Sequence, residues 1–192
     1  MICGTRYRFS LAERKYFDEL EMIENTGNRM SRNDHVLDSE ELKELRAFID
    51  EQILNYKENL VNIKTDNEIY ITQSWINRSQ ASEYHHKHKH PNSVISGVMF
   101  LDDNSDGTLP PIRFHRAQEI FPMEFEYDAL NEFNATCQTF DPEEGMLILF
   151  PSLIEHDVDK NESECTRTSL SFNTYVRGVV GGRRTLSEIT IS

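Results

Sequence analysis

Apolar residues recur at two different spacings along this chain, and the change of spacing divides it. In VLDSEELKELRAFIDEQILNYKENLVNI, residues Leu42, Leu45, Ile49, Ile53, Tyr56 and Leu60 step by three or four positions. That spacing keeps them on one stripe of a long amphipathic α-helix, with Asp38 and Glu41 placed as N-cap and N3 of a capping box. Past residue 66 the texture changes to short extended runs, EIYITQSWINR, SVISGVMFLD, PIRFHR, GMLILFP and TSLSFNTYV, punctuated by Asn, Asp, Gly and Pro. Several strands without intervening helices predict an antiparallel sandwich or barrel. The amphipathic helix must bury its stripe somewhere, so residues 1–65 are expected to form a helical buttress outside a β core at 66–180, with 181–192 as a C-terminal tail.

Composition limits what such a domain can do. At 192 residues and 38% apolar content the chain suits one domain with a real core. Lys and Arg total 20 against 33 for Asp and Glu, a formal charge of -13, and no basic face is visible for a phosphate backbone. Nucleic acid is not an expected partner. The start, MICGTRYRFSLAERKYF, has no long apolar region, and the longest uncharged apolar run, MLILF, is far short of a membrane span. A cytoplasmic location is expected. Cys3, Cys137 and Cys165 are odd in number, widely spaced and in no CxxC arrangement, which reads as unpaired thiols.

Candidate chemistry concentrates in EYHHKHKHPNS, where His85, His86, His88 and His90 crowd together. In an extended segment alternate residues share a side, so His86, His88 and His90 fall on one face and His85, Lys87 and Lys89 on the other. Two imidazoles on one face can chelate a metal; the plainer alternative is a solvated His/Lys loop. Pro91 and Asn92 then bend the chain into the core strand SVISGVMFL, which would fix His88 and His90 at the mouth of a β structure. A further ligand is offered by His156, just beyond the strand that Gly145 opens and Pro151 closes. In the next strand Arg167, Ser169, Ser171 and Asn173 share one face, with Leu170 and Phe172 opposite. Such a polar face either looks at solvent or lines a site, because buried donors without partners cost a few kcal/mol each.

The order H-x-H-P-N-S, S-G-V-x-x-L, G-x-L-x-L-F-P-S-x-x-x-H-x-V and R-x-S-x-x-F-N resembles a 2-oxoglutarate/iron(II)-dependent oxygenase family of bacterial and phage type. More distantly it resembles the catalytic cores of prolyl hydroxylases. The likeness extends to SWINR and to NTGNRMSRNDHVL, so it covers most of the chain. It implies a double-stranded β-helix, the cupin-like jelly-roll barrel, with iron(II) at one open end. Carried over by residue, His88 is the first ligand of an H-x-D/E motif, His156 the distal histidine, and Arg167 with Ser169 the pair that receives the distal carboxylate of 2-oxoglutarate. Imidazole suits iron(II), and a guanidinium fork holds a carboxylate by two charge-assisted hydrogen bonds. Asn77 and Ser96, on flanking strands, are further candidates for cosubstrate contact.

The departure is His90, which stands where Asp or Glu is usual. Either His90 binds and the ligand set is all histidine, or Glu83 or a water completes it; Glu83 has the wrong strand parity relative to His88, and the resembled family also shows H-x-H-P there, so His88, His90 and His156 are the expected ligands. The resemblance implies an oxygenase consuming O2, probing a C–H bond of a small-molecule or peptide substrate, with hydroxylation as the default outcome. The substrate itself is not legible, because loops such as DDNSDGT and FEYDALNEFNATC would select it. Two rivals stand beside this reading: a three-histidine cupin dioxygenase without 2-oxoglutarate, which gives Arg167 no task, and a catalytically silent jelly-roll binding protein.

Overall fold

A computed structural model describes residues 3–63, 66–116, 123, 125–131 and 134–192. Its strands are β1 (Cys3–Arg6), β2 (Met22–Glu24), β3 (Arg29–Ser31), β4 (Glu68–Ser79), β5 (His85–His88), β6 (Ile95–Phe100), β7 (Ile112–His115), β8 (Cys137–Phe140), β9 (Met146–Pro151), β10 (His156–Val158), β11 (Arg167–Val180) and β12 (Ile189–Ile191). Two helices, α1 (Leu11–Glu19) and α2 (Lys43–Asn55), precede β4. The strands form two antiparallel sheets. The larger runs β1-β9-β6-β11-β4-β3-β2, with β12 on the far end of β11; the smaller runs β5-β10-β7-β8. This is a jelly-roll sandwich.

Alternation along the central strands builds both faces of the larger sheet at once. On β6, Ile95 and Met99 join a cluster with the helices, while Val98 and Phe100 point between the sheets; on β9, Leu147 and Leu149 go outward, Ile148 and Phe150 inward. Strands buried on both faces read as continuous apolar runs, which is what SVISGVMFL and GMLILFP are. The outer cluster takes the α2 stripe, Leu45 and Ile49 being fully buried, and each such side chain contributes about 1.5–3 kcal/mol.

The expected long helix is shorter than its apolar stripe suggests. The chain runs through two single turns of 3-10 helix (Val36–Asp38 and Glu40–Leu42), then α2, then a wider turn at Tyr56–Leu60 with π-type bonding. The stripe holds through the buried Tyr56, but Leu60 is exposed. Asp38 and Glu41 do not form the expected capping box: α2 starts at Lys43, its N-cap residue Leu42 supplies no side-chain cap, and Asp38 pairs instead with Arg46 at 2.8 Å. The capping box lies at α1, where Ser10 accepts from the Glu13 amide and Glu13 accepts from the Ser10 amide. Nor is the N-terminal segment wholly helical, since β1 closes one edge of the larger sheet and the β2–β3 hairpin the other. At the C terminus, β12 pairs with β11.

Among the described residues no helix is long and apolar enough to cross a membrane. Cys137 and Cys165 carry free thiols. Asn161, in an N-x-S triplet, is buried and donates to the Ser79 and Cys165 carbonyls.

Gly97 of β6 allows the closest approach in the larger sheet. It sits opposite Phe172 of β11, and a Cβ there would lie 2.1 Å from the Phe172 ring. Gly97→Ala is therefore expected to lower stability by about 1–3 kcal/mol in denaturant unfolding, as overpacked cores do, with Phe172→Leu in the same chain recovering part of the loss. An unchanged unfolding midpoint for Gly97→Ala alone would show that the ring gives way freely.

Candidate active site

The polar face of β11 turns inward. Antiparallel partners directly opposite share a face, and β11 sets Arg167 against Ser79, Ser169 against Asn77 and Ser171 against Trp75 of β4. Arg167, Ser169, Ser171, Asn77 and Trp75 accordingly line one cavity of about 240 Å³, together with His88, His90 and His156. Leu170 and Phe172, on the other face, belong to the helix-side cluster.

Three strands bring the histidines together. In the smaller sheet β10 lies between β5 and β7, so His156 sits opposite His88 on one side and Phe114 on the other. His90 follows β5 and is held by its amide on the Ser152 carbonyl at 2.9 Å, ahead of the turn in which Asn92 takes a left-handed φ of 60°. One ring nitrogen from each of His88, His90 and His156 falls within 4.8 Å of the other two. His88 Nδ1 is 2.8 Å from the His86 carbonyl and His156 Nδ1 is 3.0 Å from the Ile154 carbonyl. Donation to a carbonyl places the proton on Nδ1 and leaves the Nε2 lone pair bare, the usual arrangement of a metal-binding imidazole. The Nε2 atoms of His90 and His156 are 3.3 Å apart. Nitrogens about 2.1 Å from a shared cation stand roughly 3 Å apart, so the spacing suits one ion between them.

Burial keeps these rings neutral. It pushes His156 down to about 3 and His90 down to about 4, with the field of His88 adding to it in both, and it lowers His88 as well. At neutral pH all three present lone pairs without losing a proton first. Asp157, next to His156, is not free to join them. Although burial opposes its charge, Arg113 Nε at 2.7 Å and His115 Nε2 at 2.9 Å hold its carboxyl below the usual range.

Arg167 is 4% exposed and stays protonated, burial pushing it down only to about 10 against the pull of Asp102. Its Nε donates to the Pro110 carbonyl at 3.1 Å and its guanidinium stacks over Phe100 at 5.2 Å. Its Nη2 is buried with no hydrogen-bond partner among the described residues. A buried charged donor left unsatisfied costs on the order of 1–3 kcal/mol or more, which an anion in the cavity would recover. Asn77 reinforces the point: its Nδ2 donates to Ser171 Oγ at 3.0 Å while Oδ1 has no partner, and exchanging the two amide atoms offers the donor to the cavity instead.

Of the residues expected from sequence, His88, His90, His156, Arg167, Ser169 and Asn77 meet at this cavity. Ser96 does not line it; its hydroxyl bonds Ser152 Oγ at 2.8 Å and Asn173 Oδ1 at 2.9 Å, inside the wall. Glu83 lies elsewhere, accepting from the Gln80 amide and facing Arg29 at 3.9 Å. His86 lines the cavity but stays outside the three-nitrogen cluster. Sequence parity misses His85, which a bulge brings onto the His88 face, and gives no sign of Asn25 and Met30, carried in by the β2–β3 hairpin. Of the two loops named as selecting a substrate, DDNSDGT is described, whereas FEYDALNEFNATC falls partly outside the described residues.

Residues 73–173 match the model of a family described as "Putative 2OG-Fe(II) oxygenase", more than half of the chain. No curated protein matches by sequence. Similar solved structures include HygX from Streptomyces hygroscopicus with nickel, 2-oxoglutarate and hygromycin B bound, at 11% identity and TM-score 0.63, covering 91% of this chain and 82% of that one. A Pseudomonas putida prolyl-4-hydroxylase is similar at 17% identity and TM-score 0.60, covering 92% and 93%. A Trichoplax adhaerens prolyl hydroxylase in complex with a hypoxia inducible factor peptide fragment is similar at 13% identity and TM-score 0.60, covering 91% and 83%. At these identities the likeness is one of fold.

Manganese(II), titrated calorimetrically, is expected to bind the wild-type chain and to lose binding in His88→Ala, His90→Ala and His156→Ala, with metal-free thermal unfolding little changed. His90→Asp is expected to keep binding, because a carboxylate serves the same metals. Wild-type affinity in any alanine variant would remove that residue from the ligand set.

Proposed function

The chain belongs to the 2OG-Fe(II) oxygenase family, and from that premise we propose that His88, His90 and His156 hold its iron(II) while Arg167 receives the distal carboxylate of 2-oxoglutarate. The observation that carries the assignment is that Arg167, whose buried Nη2 has no hydrogen-bond partner among the described residues, lines the same cavity as three neutral imidazoles. The residues fit the groups they are asked to hold: a borderline nitrogen donor set for iron, and a guanidinium fork for a carboxylate. When bound, iron and 2-oxoglutarate supply the oxygen chemistry, with O2 consumed and succinate and carbon dioxide released.

The protein's own part is position and dryness. Arg167 anchors the cosubstrate, with Ser169, Ser171 and Asn77 as neighbouring hydrogen-bonding groups on the same wall. Val98, Ile112, Phe150 and Val158 give the apolar side that keeps water from the reacting centre. Hydroxylation of a C–H bond is the outcome we assign. The substrate is a small molecule or a peptide; among proteins of this fold one is seen with hygromycin B and another with a peptide fragment, so the barrel accommodates both classes. Trp75, Met30 and Asn25 form the remaining wall on which specificity would rest. A cytoplasmic location accords with the free thiols of Cys137 and Cys165. A cupin dioxygenase working without 2-oxoglutarate would leave the Arg167 charge buried and unanswered.

The direct test is iron-dependent conversion of 2-oxoglutarate to succinate under oxygen. For the anchor, Arg167→Ala is expected to weaken 2-oxoglutarate binding to the manganese-loaded protein by roughly thirty- to several-thousand-fold, corresponding to about 2–5 kcal/mol, with manganese affinity unchanged. Arg167→Lys should recover only part, since ammonium keeps the charge without the two-pronged geometry. Wild-type 2-oxoglutarate affinity in Arg167→Ala would overturn the assignment.

A further inference from the structure

His85 has no task in the chemistry above, yet the fold goes out of its way to place it. In a regular strand it would face away from His88, three residues on. Here β10 sets His156 against His88 but Val158 against His85, so that one residue between the pairs on β10 faces two on β5, and β5 bulges and turns His85 onto the cavity side. Bulges re-aim side chains, and are common beside active sites. The His85 ring then lies nearly flat on that of His88, with centroids 4.5 Å apart and planes 19° from parallel. The ring of His156 also packs against His88, its centroid at 4.3 Å and its plane tilted by 53°.

His88 thus has three restraints. The bond from Nδ1 to the His86 carbonyl fixes one ring atom at 2.8 Å, but the ring can still roll about that bond. The rings of His85 and His156 packed against it limit the roll, which sets where Nε2 points. The His85 side chain makes no hydrogen bond among the described residues and stays outside the three-nitrogen cluster, so its contact with His88 is one of ring faces.

We infer that His85 is a positioning residue of the metal centre, acting through the flat face of its ring to hold the His88 imidazole in ligating orientation. The inference rests on His88 being a ligand, and it separates the ring from its nitrogens. Residues that orient metal ligands typically contribute ten- to a hundredfold in metal affinity. His85→Ala, which removes the ring, is therefore expected to weaken manganese(II) binding by about that factor. His85→Phe, which keeps a flat ring of similar size and has no nitrogen, is expected to recover most of that loss.

The measurement is calorimetric titration of manganese(II) into the full-length chain, with the d–d absorption of a cobalt(II) complex read in parallel and metal-free thermal unfolding as the control for folding. Failure of the wild-type chain to bind would fall on the metal-centre reading itself. With wild-type binding established, unchanged affinity and cobalt spectrum in His85→Ala would overturn the inference. Equal loss in His85→Phe and His85→Ala would overturn it in the other direction, by showing that a His85 nitrogen, rather than its face, is what the metal needs.

Discussion

Everything in this molecule hangs on the pairing of β11 with β4 on one side and β6 on the other. Those three strands form the centre of the larger sheet, and their alternation assigns every residue either to the helices or to the barrel. Leu170 and Phe172 go out to meet the α2 stripe; Arg167, Ser169 and Ser171 go in. A slip of one residue would exchange the two sets, burying a guanidinium and two hydroxyls under apolar helices. The ring of Phe172, seated over Gly97, makes such a slip a steric as well as a polar error. Core and site are therefore specified by the same register, and the helices are needed because the outer face is apolar.

The inner face costs stability that the outer face supplies. Arg167 is buried with one nitrogen unanswered, its charge balanced at a distance by Asp102, whose own carboxyl is raised by burial and whose oxygen accepts from the Thr168 amide. Three imidazoles packed against one another are likewise kept neutral by desolvation. Groups in this condition favour a metal and an anion, because ligand binding repays desolvation already incurred during folding. Preorganisation here is stored as unpaired donors and bare lone pairs rather than as strained backbone.

Much of this was legible in the order of residues, and the illegible parts share a cause. The apolar stripe from Leu42 to Tyr56 and the two-sided runs of β6 and β9 depend on periodicity alone, and they emerge as expected. So does the inward polar face of β11, once a barrel is assumed for it to line. What periodicity could not reveal are features set by a partner strand. His85 changes faces because β10 is one residue short opposite it, a fact written in neither segment by itself. Strands β1, β2, β3 and β12 are three or four residues long and take shape by pairing on sheet edges, too short for a pattern. Ser96 had the right face and the wrong neighbours, its hydroxyl already engaged by Ser152 and Asn173. The capping box failed at Asp38 because Arg46, one helical turn into α2, offered that carboxylate a charged partner.

The proposed all-histidine ligand set would change the charge arithmetic of the barrel. A divalent metal on three neutral imidazoles keeps its full charge, whereas the commoner set with one carboxylate reduces it by one. Arg167 adds another positive charge on the same cavity, and the nearest carboxylate to the ligands in sequence, Asp157, is held by Arg113 and His115. Before any cosubstrate enters, the cavity is thus more electropositive than one closed by an Asp or Glu ligand, even though the protein as a whole carries -13. A dianion such as 2-oxoglutarate matches that local excess, bringing one carboxylate for the metal end and one for Arg167. On the proposed ligand set, His90 and Arg167 belong to a single electrostatic arrangement, in which the missing protein carboxylate would raise the cavity's demand for the anionic cosubstrate.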